Sequence, residues 1–373
     1  MMDFEFSAEQ EQLRATVAGF LDTRAPLAWV REHYDDAGVT GDVWQELADL
    51  GVTGLLVPEP DGGTGSGMVD AAVVLEELGR ALYPGPYSSS AIGAASLVAL
   101  AGDASDRAAF LPGIAAGDTV GTVALMEPGR RAMWRAPTTT AHGQGDGWRL
   151  EGTKVHVPDL AVAQLALVTA TCPDGALGVF AVATDAPGVS VTPTGTVDGT
   201  RKHGSLELEG APGHRLGGDG DPHEAIVTTL DRLGAAAVVE GVGTAERALA
   251  IAVDYAKDRR QFDAPIGSFQ AVQHLCADML RAVELARAAG YYACWAADAA
   301  DAAERHRAAT MALAFAADEL YAVGASAVQV HAGIGFTWEH DVGLFYKRLL
   351  TLQQTGGGTV DQLEALATIA LAT

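Results

Sequence analysis

Residues 255–270 read YAKDRRQFDAPIGSFQ, and this stretch separates two long helical patterns. Upstream of its proline, residues 223–261 contain no proline and keep a wide apolar stripe, which predicts one helix longer than roughly 50 Å at about 1.5 Å per residue. Downstream, helical patterns follow almost at once over residues 269–300 and 302–331. Long antiparallel helices joined by short breaks predict a helical bundle over residues 223–373.

Two regions of different texture precede the bundle. Residues 1–113 show helical spacing, and a capping-box pattern of Ser7 and Gln10 stands ahead of the first apolar stripe. Residues 114–222 are rich in Gly, Thr, Val and Pro, and their short apolar runs alternate with turn residues, which is typical of a β domain. The predicted fold is α+β and mainly α, with an N-terminal helical domain, a middle β domain and the C-terminal bundle.

Composition limits the classes of function. With 49% hydrophobic and 19% charged residues, the 373-residue chain is long and apolar enough for a large core. It has 24 basic and 48 acidic residues, and this net charge of −24 disfavours nucleic acids and anionic membranes as partners. No apolar run reaches the length of a membrane span, and the first residues lack a secretory signal pattern. We therefore expect a cytoplasmic protein.

Cysteine and histidine usage gives no metal or disulfide pattern. The cysteines are few, odd in number and far apart: Cys172, Cys276 and Cys294. Such spacing argues against a disulfide framework and against a zinc site. No histidine pair has the spacing of metal ligands, so we expect no metal centre.

The stretch 255–270 resembles the segment Y-A-x-x-R-x-Q-F-G-x-P-I-x-x-F-Q of the acyl-CoA dehydrogenases, whose domain order is the one predicted here. The resemblance implies that the bundle over residues 223–373 is a four-helix bundle. The resemblance implies FAD as cofactor, with Arg259 and Phe262 reaching the ADP half of an FAD held by a neighbouring subunit, and Gln270 beside them. Guanidinium groups match pyrophosphate oxygens. Asp263 stands where the family prefers Gly and adds a negative charge. The alternative reading is a charged helix end followed by a Pro-Gly stop.

A second stretch, QVHAGIGFTWEH at residues 329–340, resembles the family pattern Q-x-x-G-G-x-G-F-x-x-E. The resemblance implies that Gln329, Ala332 and Gly333 let the backbone approach the phosphates and adenine of FAD, because only small residues give that access. Ala332 replaces a glycine, which we read as a mild change. The Trp-Glu-His ending resembles bacterial homologues of steroid and specialised metabolism. A helix C-cap with a glycine turn explains the glycines but not the whole string.

Two stretches of the β domain resemble the flavin-facing motifs of the family. ALMEPG at residues 124–129 resembles T-E-P-x-x-G-S-D, and LEGTKVHVPD at residues 150–159 resembles L-x-G-x-K-x-W-I-T-N. The resemblance implies that four residues face the flavin: Leu125, Met126, His156 and Pro158. Met126 and Pro158 replace threonines, and His156 replaces the flavin-stacking tryptophan. The expected Gly-Ser-Asp is replaced by other residues, namely Arg130, Arg131, Ala132 and Met133. The isoalloxazine pocket has therefore lost side-chain hydrogen-bond donors.

The catalytic glutamate of the family is missing. Its usual position falls on Gly356, and no carboxylate occurs between Asp341 and Asp361. Other members carry the base in a Glu-Arg pair on the first bundle helix, and the matching residues here are Asp231 and Arg232, the latter a candidate substrate contact. Aspartate is one methylene shorter, and a displacement of about 1 Å costs a catalytic group about a hundredfold in rate. The alternative makes Asp231 a helix-surface carboxylate paired with Arg232 or another neighbour.

Three functions follow from the resemblance. The first is an FAD-dependent α,β-dehydrogenase of an acyl-CoA or acyl-carrier thioester in lipid or steroid metabolism, with Asp231 as base and an electron-transfer flavoprotein as partner. The second is a base-lacking partner subunit that completes the FAD site of another chain in an α2β2 heterotetramer. The third is a flavin oxygenase or oxidase on the same fold. We favour the first in its broad form, use of flavin and thioester by a homo- or heterotetramer, and the second follows closely because the adenosine-side residues are better kept.

Overall fold

Helices occupy both ends of the chain in the computed structural model, which describes residues 6–129, 133–144 and 147–371. The side chain of Ser7 accepts from the backbone N–H of Gln10, and the Gln10 side chain accepts from the backbone N–H of Ser7, so the predicted capping box is present. The α-helices are α1 (Ala8–Arg24), α2 (Leu27–Glu32), α3 (Asp42–Asp49), α4 (Met68–Arg80), α5 (Ala95–Ala101), α6 (Ala104–Ala115), α7 (His223–Asp258), α8 (Gln270–Ala299), α9 (Ala302–His331), α10 (Val342–Gln353) and α11 (Thr359–Leu371).

Strands occupy the middle of the chain, as predicted. They are β1 (Gly121–Ala124), β2 (Thr140–Gln144), β3 (Gly147–Pro158), β4 (Leu165–Thr171), β5 (Leu177–Ala183), β6 (Val189–Thr194) and β7 (His203–Arg215), with the short β8 (Arg260–Gln261) and β9 (Ala264–Pro265) after α7. The predicted α+β, mainly α architecture is confirmed. The domain limits of 1–113, 114–222 and 223–373 stay predictions.

The chain divides into two compact units. The bundle unit comprises residues 1–32, 72–83 and 234–373, and the sheet unit comprises residues 33–71 and 84–233. Helix α7 begins in the sheet unit and continues through the bundle unit.

Long helices build the bundle unit. Helix α7 has 36 residues and is about 54 Å long at 1.5 Å per residue. Helix α9 packs against α8, α10 and α11. Alanines form much of its buried face and allow close helix packing: Ala308, Ala312, Ala316, Ala317 and Ala327. The segment 302–336 is long and apolar enough to cross a membrane by length and composition alone, yet 56% of its most apolar window is buried within the chain, as in the core helix of a bundle.

The bundle unit also contains a tight crossing of α4 and α7. A Cβ atom added to Gly79 would lie 1.9 Å from the backbone oxygen of Glu240, and one added to Gly243 would lie 1.8 Å from that of Glu76. Each helix therefore presents a glycine to a carbonyl of the other. The hydroxyl of Thr244 donates to the backbone oxygen of Gly79 at 3.0 Å and strengthens the contact.

The sheet unit is built on β-strands whose side chains alternate between a buried and an exposed face. On β7, Leu206 and Leu208 are buried while Glu207 and Glu209 are exposed, which is the two-residue period of a strand. Among the described residues, seven strands form one sheet in the order β1-β4-β2-β3-β7-β5, with β6 paired to β7. Strands β3 and β7 form a long antiparallel pair, and β3 carries part of the stretch predicted to face a flavin.

Candidate cofactor site

The stretch around Arg259 forms a hairpin at the end of α7. Strands β8 and β9 pair Arg260 with Pro265 and Gln261 with Ala264. The two residues between the strands, Phe262 and Asp263, have φ angles of 51° and 62°. Two left-handed residues in a two-residue loop are typical of a type I′ turn, in which glycine is favoured and aspartate is tolerated. Asp263 therefore keeps the turn in which the family prefers glycine.

The side chains of this hairpin face outward. The guanidinium of Arg260 donates to the backbone oxygen of Asp263 at 2.6 Å and braces the turn. The Phe262 ring is 90% exposed and contacts Phe269 edge-on at 6.2 Å. Arg259 is exposed and forms no ion pair within the described part of the chain. An exposed guanidinium beside an exposed ring is a surface on which a ligand or a second subunit can be seated.

A sharp turn follows α9. Gln329 is exposed in the last helical turn, and Ala332 caps the helix with φ 53° and ψ −136°. This region of backbone space favours glycine, so an alanine there costs on the order of 1–3 kcal/mol. The replacement of glycine by Ala332 is thus a strained change and not the mild one expected from residue size.

Two glycines of the same turn differ in what surrounds them. A Cβ atom on Gly335 would meet the backbone oxygen of Val328 at 2.8 Å, so packing within the chain requires that glycine. A Cβ atom on Gly333 would meet nothing within 4 Å. Packing within the described part of the chain therefore does not require a glycine at position 333.

In the first flavin-side motif, Glu127 of the Glu-Pro core forms a buried ion pair with Lys154. Glu127 accepts from five donors: Lys154 Nζ at 2.8 Å and the backbone N–H and hydroxyl groups of Thr138 and Thr139 at 2.6–2.9 Å. Lys154 is completely buried and also donates to Thr169 at 3.2 Å. The glutamate and the lysine that match the family motifs thus tie strands together. Sequence reasoning missed this role.

The ionisation of the pair follows from these contacts. Burial by itself raises the pKa of Glu127, but the hydrogen bonds from Lys154, Thr138 and Thr139 outweigh burial and hold the pKa well below its usual range. Burial lowers the pKa of Lys154, and the carboxylate of Glu127 opposes that shift. Because five donors converge on the carboxylate, Glu127 is ionised and serves as a structural anion.

Two of the residues predicted to face a flavin accept hydrogen bonds through their backbone oxygens, and a third has an unusual backbone angle. The backbone oxygen of Met126 accepts from the N–H of Val155 at 2.9 Å, and that of Pro158 accepts from the Thr122 hydroxyl at 2.6 Å. His156 lies at a strand irregularity with φ 52°. Leu125 packs partly against the core of the sheet unit. Arg130, Arg131 and Ala132 lie outside the described residues, as does the side chain of Met133.

His203 lies beside His156, with ring centroids 6.5 Å apart. Burial, together with the nearby Arg201 and His156, lowers the pKa of His203 to about 4. A histidine held neutral at this position supplies no positive charge near neutral pH. Met126 and Pro158 have no counterpart to the threonine hydroxyls of the family motifs, and the His156 ring keeps an N–H donor but is smaller than an indole. The described residues therefore do not fit an isoalloxazine ring as the family motifs do.

The position of the usual catalytic glutamate is a tight glycine turn between α10 and α11. Gly356, Gly357 and Gly358 have φ angles of 69°, 104° and 92°. The Gln362 side chain donates to the backbone oxygen of Gly356, and a Cβ atom on Gly356 would lie within van der Waals overlap of the Gln362 amide nitrogen. The overlapping atom is the far end of the flexible Gln362 side chain, so the left-handed backbone at Gly356, more than crowding, disfavours a glutamate there.

The alternative base position lies on the first part of α7. Asp231 is 5% exposed, so the helix-surface position of the alternative is wrong, while its pairing with Arg232 or another neighbour stays a prediction. Arg232 donates to the Ser96 hydroxyl on α5 at 3.1 Å. The arginine is thus held by the sheet unit, and the aspartate is shielded from solvent.

Comparison with known proteins covers the whole length of the chain. The family model for the acyl-CoA dehydrogenase N-terminal domain matches residues 7–118, the middle-domain model matches residues 122–211, and the C-terminal-domain model matches residues 223–370. The chain is 33% identical over 368 residues to acyl-CoA dehydrogenase IpdE2 of Mycolicibacterium smegmatis, covering 96% of this chain and 98% of IpdE2.

Two solved structures are similar in both fold and sequence. The Tcur3481-Tcur3483 steroid ACAD contains a chain that is 34% identical, with a TM-score of 0.89 and 98% coverage of both chains. The ChsE4-ChsE5 complex from Mycobacterium tuberculosis contains a chain that is 30% identical, with a TM-score of 0.89 over the full length of both chains. By its three matched domains and these likenesses, the chain belongs to the acyl-CoA dehydrogenase family, whose members are FAD-binding oxidoreductases acting on CH–CH groups.

Proposed function

We propose that this chain is the base-lacking subunit of a heteromeric, FAD-dependent acyl-CoA dehydrogenase. In this role it completes the adenosine side of an FAD site in a partner subunit that carries the catalytic glutamate. The observation that carries the proposal is the glycine turn at residues 355–358, in which the usual base position is a left-handed Gly356 backed by Gln362. The left-handed backbone of this turn would strain a carboxylate side chain at position 356.

The adenosine-side residues support the same role. Arg259 would pair with the pyrophosphate, and Phe262 would pack beside the adenine. The turn at Gly333 would admit a phosphate or the adenine ring. Three further residues would lie at the margins of the site: Gln270, Gln329 and Ala332. Bound FAD would supply the hydride acceptor for α,β-dehydrogenation of the thioester. These side chains are exposed in the single chain, which is what a site completed across a subunit boundary requires.

The similar proteins bear on partner and substrate. The two structures compared above each pair two named proteins, and one is called a steroid ACAD. By analogy we assign this chain a homologous partner within a heterotetramer, an acyl-CoA substrate of lipid or steroid type, and an electron-transfer flavoprotein as electron acceptor. We also place the complex in the cytoplasm.

One observation favours a second candidate function. Asp231 is almost completely buried, as a carboxylate base must be to work in a desolvated site. In this alternative the chain is itself an acyl-CoA dehydrogenase with Asp231 as its base and Arg232 as a substrate contact.

Purification of the chain alone and together with a glutamate-carrying homologue separates the two functions. We expect the chain alone to carry no flavin absorption and the co-expressed complex to be yellow and bleached by a suitable acyl-CoA. A stable yellow homotetramer that acyl-CoA bleaches would overturn the proposal.

Substitution of the candidate base gives a second test. In the complex, Asp231→Asn should leave thioester turnover within about twofold of the unmodified complex, since a structural carboxylate contributes little to the transition state. Loss of about a hundredfold or more with full flavin content would instead assign the base to Asp231. Gly356→Glu in the chain alone should produce no turnover, because that chain carries no flavin of its own and the left-handed backbone at Gly356 strains any side chain.

A further inference from the structure

A cluster of three rings joins the two halves of the adenosine-side surface. Residues 255–270, the hairpin segment, begin with Tyr255, and residues 329–340, the turn segment, contain His331 and His340. The ring centroids of Tyr255 and His331 lie 4.5 Å apart with planes 29° from parallel, and those of His331 and His340 lie 4.3 Å apart. Tyr255 also meets His340 edge-on at 6.3 Å. His331 is thus the shared ring of the cluster.

The neighbouring backbone is anchored at the same point. Tyr255 accepts through its backbone oxygen from the N–H of Arg259 at 2.8 Å, so its position sets the start of the hairpin. His331 directly precedes the strained Ala332, and a Cβ atom on Gly335 would lie 3.0 Å from the His331 Cβ. The ring cluster therefore lies where both segments leave their helices.

Hydrogen bonds fix the tautomers of the two histidines. His331 Nδ1 lies 2.7 Å from the backbone oxygen of Ala327, which can only accept, so Nδ1 carries the proton. The N–H of Val342 donates to His340 Nδ1 at 3.1 Å, so Nδ1 of that ring is the acceptor. His331 is 1% exposed, and burial lowers its pKa, with the Ala327 contact opposing. A neutral imidazole at the centre packs like an aromatic ring and adds no charge beside Tyr255.

We infer that His331 is a positioning residue for FAD: through its contacts with Tyr255 and His340 it holds the hairpin segment and the turn segment at the spacing that a single dinucleotide requires. The inference rests on the proposed function, because it needs both segments to contact the same FAD. A ligand bound by two segments loses affinity when their spacing relaxes, since binding must then order them.

The test uses the complex of this chain with its glutamate-carrying partner, freed of FAD and titrated with FAD by flavin fluorescence. His331→Ala removes both ring contacts and should weaken FAD binding about tenfold or more. His331→Phe restores a ring without the Ala327 hydrogen bond and should bring the dissociation constant back to within about threefold.

Trp295→Ala is the matched control. Tyr292 and Trp295 stack at 5.7 Å on α8, in the same unit but in neither segment. This variant should lower thermal stability as His331→Ala does, yet leave FAD affinity within about twofold. Equal FAD affinity in folded His331→Ala and unmodified complexes would overturn the inference. An unmodified complex that binds no FAD would contradict the proposed function itself, so the two failures are distinguishable.

Discussion

The adenosine-side segments of the bundle unit and the flavin-side loops of the sheet unit both resemble family motifs, but the matching residues have different environments in the two units. In the bundle unit, the matching Arg259 and Phe262 are exposed and do little for the fold. In the sheet unit, the matching Glu127 and Lys154 are buried and hold strands together, while the residues that would face a flavin have changed. The matching residues are therefore exposed in one unit, where we propose that they contact a ligand, and buried scaffold in the other.

This difference between the units predicts a separation of effects. Substitutions on the adenosine side should change FAD affinity with little change in stability. Substitutions at the matched residues of the flavin side should change stability with little direct effect on FAD affinity. Unfolding and FAD-binding measurements on single variants test that separation.

The largest effect is expected at Glu127. Glu127→Ala leaves the completely buried Lys154 without its carboxylate and should lower the free energy of unfolding by about 3–5 kcal/mol. Urea unfolding of the chain measures it. The double variant Glu127→Ala with Lys154→Met removes both charges and should recover most of the loss. A single variant as stable as the parent would contradict the scaffold role.

Arg259→Ala should have the opposite signature. Loss of a charge-assisted contact with the pyrophosphate costs about 1.5–3 kcal/mol, a ten- to hundredfold weaker affinity of the complex for FAD. Stability should stay within about 0.5 kcal/mol because the residue is exposed. Arg281→Ala, which removes an exposed arginine paired with Glu319, is the charge-matched control and should leave FAD affinity unchanged.

His203 should make the sheet unit sensitive to acid. Its pKa in the folded state, about 4, lies below the ordinary value of 6.5, so the unfolded chain binds more protons between these values. The stabilising contribution is complete above about pH 6.5 and is lost as the pH falls toward 4, by about 1–3 kcal/mol. His203→Gln should lose less stability than the parent between pH 7 and about pH 4.5. Parallel stability curves for the two proteins would count against a histidine held neutral by burial.

The smallest effect is expected at Ala332. Ala332→Gly relieves the positive φ angle and should raise the free energy of unfolding by about 0.5–1 kcal/mol, after the entropy cost of glycine. Ala325→Gly, inside α9, should instead lower it by about 1 kcal/mol. Guanidinium midpoints of the two variants measure the difference. A destabilised Ala332→Gly would show that the alanine is not strained.

Local patterns predicted much of the architecture. Helix α9 begins and ends at the predicted residues, and α8 differs from the prediction by one residue at each end. Helix α7 was predicted to reach Gln261 but ends at Asp258, because Arg260 and Gln261 leave the helix to pair with Ala264 and Pro265. A two-residue strand is too short to show a period in the sequence.

The site was predicted less completely, because several of its properties depend on residues far apart in the chain. The absence of a glutamate at position 356 is readable from the sequence, but the left-handed backbone of Gly356 is not. The burial of Asp231, the strain at Ala332 and the ion pair of Glu127 with Lys154 likewise depend on the folded backbone.

The sequence by itself determined the order of helical, β and helical regions, the family resemblance and the loss of the usual base, since these depend on residue identity and short-range periodicity. Only the tertiary structure decided which motif residues are buried scaffold and which are exposed. Burial, backbone angle and ring contact arise when distant segments meet, as Tyr255, His331 and His340 do, and no local pattern encodes that meeting.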